Sequence, residues 1–287
     1  YDFNKLDSIY EEYDESGKLT LLAKYSNDEL NGSFKEYYPN SELATFGYYE
    51  EGNAFGKWLG FYENGNPQYE GEYYEDKKDG PWTFYRRDGS ISEIGFYLND
   101  YKEGLWEGYY ENGNLSYKGF YRTGYRDSEW NVFDSLGKID ISGFYRLGAK
   151  DSTWHYFRND SIAYSEEYKN GRLIKISNFL AFDGKEFNSG NINSQGNGNA
   201  IYFYPHGEVQ SKGEIVNGQK NGSWQTFYEN GKPESKGDFK NNMKVGLWFF
   251  YSKNGFLEAK GRYENGKPVG KWQFYNNKGE FSHEEVY

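Results

Sequence analysis

Cysteine is absent from the 287 residues, methionine occurs once and proline six times. Without cysteine there is no disulfide framework, no thiol nucleophile and no cysteine-held zinc. No run of about 18 apolar residues exists to span a bilayer as a helix. Aliphatic side chains are too scarce for a conventional compact core. Rings replace them: 31 Tyr, 22 Phe and 8 Trp make 21% of the chain, beside 36 Gly. Buried surface therefore has to come mainly from aromatic side chains.

Positive charge is also in deficit. Lys and Arg total 33 against 44 Asp and Glu, a net charge of −11. That balance argues against nucleic acid or anionic lipid as partner, because both require a cationic footprint. The deficit is local: residues 1–143 carry 14 basic and 28 acidic side chains, residues 144–287 carry 19 and 16. An acidic first half can steer a basic partner, and it also keeps strand faces solvated. The sequence starts at Tyr1 without the charged-then-apolar pattern of a signal peptide. A segment removed upstream is expected, whether an export or lipid-anchored leader, a disordered tail or a truncation.

Trp58, Trp82, Trp106, Trp130 and Trp154 lie 24 residues apart, and so do Trp224, Trp248 and Trp272. Extended backwards, the phase meets Phe34 and Tyr10. Glycines keep step: Gly47, Gly71, Gly95, Gly119 and Gly143, then Gly213, Gly237 and Gly261, each followed two residues on by Tyr, Phe or Ile. The unit therefore has two parts, Gly-x-Trp-x-x-Phe/Tyr-Tyr/Phe and x-x-Gly-x-Tyr. Between them stand Glu63-Asn64-Gly65, Asp88-Gly89, Glu111-Asn112-Gly113 and similar turns. Asn-Gly between β-prone segments predicts a hairpin with a type I′ turn. A second, Gly-bounded loop then leads to the next hairpin.

Residues two apart share a strand face. Trp58, Gly60 and Tyr62 are accordingly expected on one face, as are Tyr69, Gly71 and Tyr73. A missing side chain beside large rings leaves room for a neighbouring ring over bare backbone. About twelve units follow from the phase. At roughly 4.8 Å per strand the array would reach on the order of 100 Å. The fold class is all-β: an elongated array of 24-residue hairpin repeats forming a twisted antiparallel sheet.

The repeat is irregular in one stretch. Trp154 to Trp224 is 70 residues instead of 72, and the phase meets Ser177 and Ala200 in place of tryptophan. The expected organisation is a first block over 1–176, an irregular segment over 177–199 rich in Gly, Asn and Ser, and a second block over 200–287. The irregular segment is a degenerate repeat, or a docking loop using Asn191, Asn193, Gln195, Asn197 and Asn199, since departures from a regular scaffold often carry recognition.

Tyr69-Glu70-Gly71-Glu72-Tyr73, followed by Gly80-Pro81-Trp82-Thr83-Phe84-Tyr85 and Asp88-Gly89, resembles the MORN repeat in its bacterial variant form. The resemblance covers nearly the whole chain and is weakest before about residue 30 and over 163–200. It implies stacked β-hairpins in an extended, twisted, often grooved sheet. For function it implies little: bacterial variants carry an antitoxin-like label, and eukaryotic relatives are linked to membranes and scaffolding.

Chemistry has no foothold in the residue pattern. His155, His206 and His283 fall in three different repeats, with no metal-ligand spacing. No nucleophile elbow, phosphate loop or dinucleotide fingerprint occurs, and the glycines follow the 24-residue period instead. No catalytic, metal or cofactor residue is expected. The eight tryptophans with Gly71, Gly95, Gly119 and Gly143 are expected to be structural. The functional expectation is a non-enzymatic scaffold or accessory subunit that binds other proteins in a larger assembly of the bacterial cell envelope, as an exported, outer-membrane-associated or lipid-anchored protein. The alternatives are a carbohydrate-binding module using exposed rings and a cytoplasmic antitoxin-like protein.

Overall fold

The computed structural model describes residues 7–287. The expectation of a leader or anchor upstream of Tyr1 falls outside them. All regular structure among the described residues is β, and no helix there is long and apolar enough to cross a membrane. Glycine or asparagine interrupts every stretch before helical periodicity can build, while Tyr, Phe and Trp favour the pleated surface.

Each strand pairs antiparallel with its chain neighbours, giving a 16-stranded sheet from Ile9–Tyr13 to Arg172–Ile176 and a nine-stranded sheet from Gly190–Ile192 to Phe281–Val286. A two-stranded ladder, Phe179–Leu180 with Glu186–Phe187, lies between them in sequence. By contacts the chain divides into two compact units. The first comprises the described residues up to Asp140 with Tyr145–Gly148, the second Ile141–Phe144 with Ala149–Tyr287.

In the first unit one repeat runs through strand Asn53–Phe61, a five-residue turn, strand Pro67–Tyr74 and a two-residue turn. The two turns are the reverse of expectation. At Asn64-Gly65 only Gly65 has positive φ (80°); its N–H donates to Tyr62 O at 2.8 Å, and Tyr62 N–H donates to Asn66 O. The register shifts beside it, between Gly60 and Phe61. This is a type I turn closed by a left-handed glycine with a bulge. The tight turns sit at the second connection, where both residues are left-handed: Glu75-Asp76 (49° and 64°) and Asn99-Asp100 (49° and 67°). Two positive φ values in a two-residue loop define type I′, and Asn and Asp tolerate them without glycine.

The first glycine of Gly-x-Trp has its own reason. After each tight turn the register jumps: Gly119 pairs with Trp130, but Phe120 pairs with Asp127. The extra residues form a bulge centred two positions before the tryptophan, at φ 66° for Gly104 and 68° for Gly246. Ser128 and Ser152 hold the same position at 60° and 59°.

The second unit contains the irregular stretch. Trp154 pairs with Glu166 and Glu166 with Ile176, where Trp106 pairs with Gly119 and Gly119 with Trp130. One residue is lost in the turn at Asn159-Asp160 and one in the following bulge. The tryptophan position therefore falls on Ile176 rather than Ser177, and Glu166 takes the glycine position. Residues 188–199 form a packed hairpin: Asn193 N–H donates to Asn197 O and Gly196 N–H to Asn193 O, the same turn as at Asn64-Gly65. Ile192, Ala200, Ile215, Leu173 and Trp224 make its core.

Candidate interaction surface

Within each unit the tryptophans project to a single face of the strands, and all eight are 0–6% exposed. Each ring lies against the glycine eleven residues before it. A Cβ built on Gly95 would stand 2.1 Å from Trp106 Cδ2, and Gly71, Gly119 and Gly143 lie as closely beneath Trp82, Trp130 and Trp154. The indole N–H then reaches the next carbonyl: Trp106 Nε1 donates to Phe96 O at 3.1 Å and Trp154 Nε1 to Phe144 O at 3.0 Å. Between successive tryptophans stands an edge-on tyrosine. Tyr97 is 5.8 Å from Trp82 and 5.0 Å from Trp106, Tyr121 6.1 Å from Trp106 and 5.4 Å from Trp130. In the second unit Phe239 and Tyr263 do the same between Trp224, Trp248 and Trp272. This ring ladder is the core of the protein. Tyr62 is not part of it: the bulge removes it from the alternation, and its hydroxyl donates at 2.8 Å to the carbonyl of Tyr85, at the end of the first strand of the next hairpin.

A row the sequence reading missed covers these rings. Lys78, Lys102, Arg126, Lys150, Lys220 and Lys244 each stand four residues before a tryptophan, with the cation 3.8–4.4 Å from its ring centroid. Burial pushes the ammonium groups of Lys78, Lys150, Lys220 and Lys244 below the usual lysine range. The 24-residue spacing was the available signal. Much of the acidic excess has a comparable structural use. Asp79, Glu103, Asp127 and Asp151, again 24 apart, accept the backbone N–H of Asn99, Thr123, Leu147 and Asn170 in the next turn.

The loop residues singled out from the sequence are tied to the backbone or shallowly placed. Asn193 Oδ1 accepts from Gln195 and Asn197 N–H, and Asn197 Oδ1 accepts from Asn217 N–H. Asn191 and Asn199 are exposed and face each other across the hairpin. Gln195 borders a shallow cleft with Lys169, Arg172 and Asn217. Nearby, Glu166 is 4% exposed and accepts hydroxyl hydrogen bonds from Tyr156, Tyr168 and Tyr202. His155 bonds Ser165, His206 packs on Phe182 and His283 stacks on Phe274. Among the described residues no group of three or more His, Asp or Glu side chains is placed to hold a metal ion.

The opposite face of the first unit differs. Strand alternation puts Phe96, Leu105 and Phe120 there, away from the tryptophans, and they are 41, 38 and 42% exposed. Leu105 pairs directly with Phe120, and Phe96 pairs with Pro81 on its other side. Leu98 and Tyr101, also paired and exposed, extend the patch. A second aromatic group, Phe46, Tyr48, Phe55 and Tyr74, lies further along the same face, with ring centroids of 5.2 Å for Phe46–Tyr48 and 5.9 Å for Phe55–Tyr74. Beside it a cleft is lined by Lys57, Glu72, Asp79 and Asn99. Contiguous exposed apolar surface of this kind is unusual on a protein without partners.

Three comparisons bear on what this array is. No curated protein matches the chain. Among solved structures, a TcdB2–TccC3–Cdc42 complex is 14% identical with a TM-score of 0.19, over 92% of this chain and 14% of that one. A TcdB2–TccC3 complex is 13% identical (TM-score 0.19; 92% and 14%), and the Photorhabdus luminescens Tc holotoxin pore 12% identical (TM-score 0.16; 97% and 16%). The chain thus spans only 14–16% of the length of those chains, and likeness at these TM-scores says nothing of its role. The MORN repeat variant matches residues 6–27, 56–76, 102–122 and 220–241. Those segments fall in both units and share the phase of the hairpins between them, so at these four places the chain carries MORN-variant repeats.

Proposed function

We propose that this chain is a non-enzymatic docking scaffold that holds a partner protein on the outer face of its first unit. The reading rests chiefly on the apolar surface formed by Phe96, Leu105 and Phe120. The inner rings are consumed by the protein's own packing, whereas these large side chains leave about two-fifths of their surface open to solvent. Repeats of this type generally mediate protein or membrane interaction, and the acidic first half disfavours anionic membranes. An antitoxin-like role is the same reading with a small toxin as the partner. We further propose a cell-envelope location, where absence of cysteine is compatible with an oxidising compartment.

The test is a photo-crosslinking residue in place of Phe120, in the native cell, followed by mass spectrometry. One crosslinked protein, lost when Phe96→Ser is added, is the expected result. A uniform background unaffected by Phe96→Ser would refute docking at this face, and fractionation of the same sample reports the compartment.

A further inference from the structure

We infer that the segment docking on this face is a basic amphipathic α-helix laid across the strands. The inference rests on the docking reading above and names the partner's chemistry. Neighbouring strands lie about 4.8 Å apart, so Phe96 and Phe120, one repeat apart, are separated by about 9.6 Å across the sheet. Leu105 stands on the strand between them. An α-helix rises about 1.5 Å per residue, which brings residues seven apart to about 10.5 Å, with the residue three or four along between them. An apolar heptad stripe therefore meets Phe96, Leu105 and Phe120 in succession. An extended segment repeats its same-face side chains every 6.6–6.8 Å or so and falls out of step within one repeat. Strand addition would need a sheet edge, and these side chains stand on a face.

Charge selects the sign. On the same face around the patch stand Glu70, Glu72, Asp79, Glu103, Glu107 and Glu129 with the buried Asp127, against Lys57, Lys77, Lys118 and Arg122, and Lys57 lies 3.5 Å from Glu70. Lys118 is paired with Glu107 at 2.8 Å and Arg122 with Asp127 at 3.2 Å. Acids are left in excess at the rim, where opposite charge on a partner steers association and fixes orientation. The fitting occupant carries leucine-like residues in heptads with Lys or Arg beside them.

The probe is a fluorescent peptide of about 21 residues, three helical heptads with Leu at the core positions and Lys beside them, titrated into the full chain by anisotropy. Two companions keep the leucines but replace Lys with Glu, or insert two prolines. The Lys peptide is expected to bind and to weaken about tenfold or more with Phe96→Ser/Phe120→Ser. It should also weaken on raising salt from about 50 to 300 mM, and with Glu72→Lys/Glu129→Lys. The replaced residues are exposed, and far-UV circular dichroism verifies the fold of each variant. No binding, equal binding to the double serine variant, or equal binding of the Glu or proline peptide overturns the inference. Failure of the helix and failure of docking are distinguishable. If a partner crosslinks at position 120 through an acidic or extended segment, docking stands and the basic helix falls; if nothing crosslinks there, docking falls as well.

Discussion

The Tyr202 hydroxyl donates to the Glu166 carboxylate at 2.9 Å, across 36 residues of sequence, and ties strand Gly198–Phe203 to strand Ser161–Lys169. The two strands belong to different ladders of the second unit. Glu166 stands where regular repeats have glycine beneath a tryptophan, and Ile176 stands where that tryptophan would be. Tyrosines occupy the vacated space. Tyr156 and Tyr168 also donate to Glu166, at 2.5 and 2.7 Å, with Lys150 Nζ 4.0 Å away. A carboxylate this buried is tolerable only because its oxygens are satisfied. Burial first, then the negative charge of Glu166, pushes the Tyr202 hydroxyl far above the usual tyrosine range, so it stays a donor. The break in the repeat is thus an ordered junction.

Removing one arm of that junction should be measurable. Tyr202→Phe deletes a hydrogen bond to a charged group and should lower stability by about 1.5–3 kcal/mol. Urea unfolding gives the magnitude, and hydrogen exchange over residues 161–203 locates the loosening. A loss under about 0.5 kcal/mol would mean that the hydroxyl contributes nothing to joining the ladders.

Gly95 and Gly113 test the ring ladder against ordinary glycine flexibility. At Gly95 an added Cβ would collide with Trp106, whereas at Gly113, a turn residue at φ 83°, it would meet nothing within 4 Å. Gly113→Ala should cost only the left-handed penalty, about 1–2 kcal/mol. Gly95→Ala must displace a ring that is 0% exposed and should cost about 3 kcal/mol or more, with a shift in tryptophan fluorescence. Trp106→Ala should cost about 3–5 kcal/mol. Equal losses for the two glycine variants would remove the reason for the glycine period.

Ser128 and Ser152 are candidates for improvement. They hold the left-handed bulge position at 60° and 59° where six repeats use glycine, as at Gly104 and Gly246. Ser128→Gly and Ser152→Gly should each stabilise by up to about 1 kcal/mol, the left-handed strain relieved less the extra entropy of an unfolded glycine. Thermal unfolding decides it; a lower midpoint would show that the serine side chains contribute more than the strain costs.

The fold was legible because it is written in residue types that repeat: Trp and Gly in step announce strands, faces and the ring resting on bare backbone. Turn identity was not legible. Asn64-Gly65 satisfies either a type I′ turn or a type I turn with a bulge, while the actual tight turns include Glu75-Asp76 and Asn99-Asp100, which lack glycine. Lys78 and its counterparts went unread because a long cation can equally extend to solvent or lie across a ring. Nor could composition separate Phe96 and Phe120 from core rings. Alternation from Gly95 and Gly119 gives the face on which they stand, but whether a second layer covers that face is not written in the strand pattern. The pairing register moved the missing tryptophan from Ser177 to Ile176.

Alkaline pH should unfold the array through its tyrosines. Burial pushes the Tyr73 and Tyr97 hydroxyls up to about 12, and burial together with a hydrogen bond to Glu107 does the same for Tyr109. Their unfolded value is about 10. A folded pKa above the unfolded one means that the folded state keeps its proton where the unfolded state loses it. The associated stability is fully present below pH 10 and is lost as pH rises from about 10 to 12. The depressed lysines act oppositely: Lys78, Lys150, Lys220 and Lys244 lose unfavourable buried charge as pH rises through their folded pKa values, so stability should hold or climb slightly towards pH 10 before it falls. Urea midpoints measured from pH 8 to 12, alongside phenolate absorbance, test both limbs. The exposed tyrosines should titrate first, and the buried ones only as the tryptophan signal reports unfolding. If all 31 tyrosines ionise together near pH 10 with the fold intact, the rings standing between the tryptophans are open to water and the ladder is not the core.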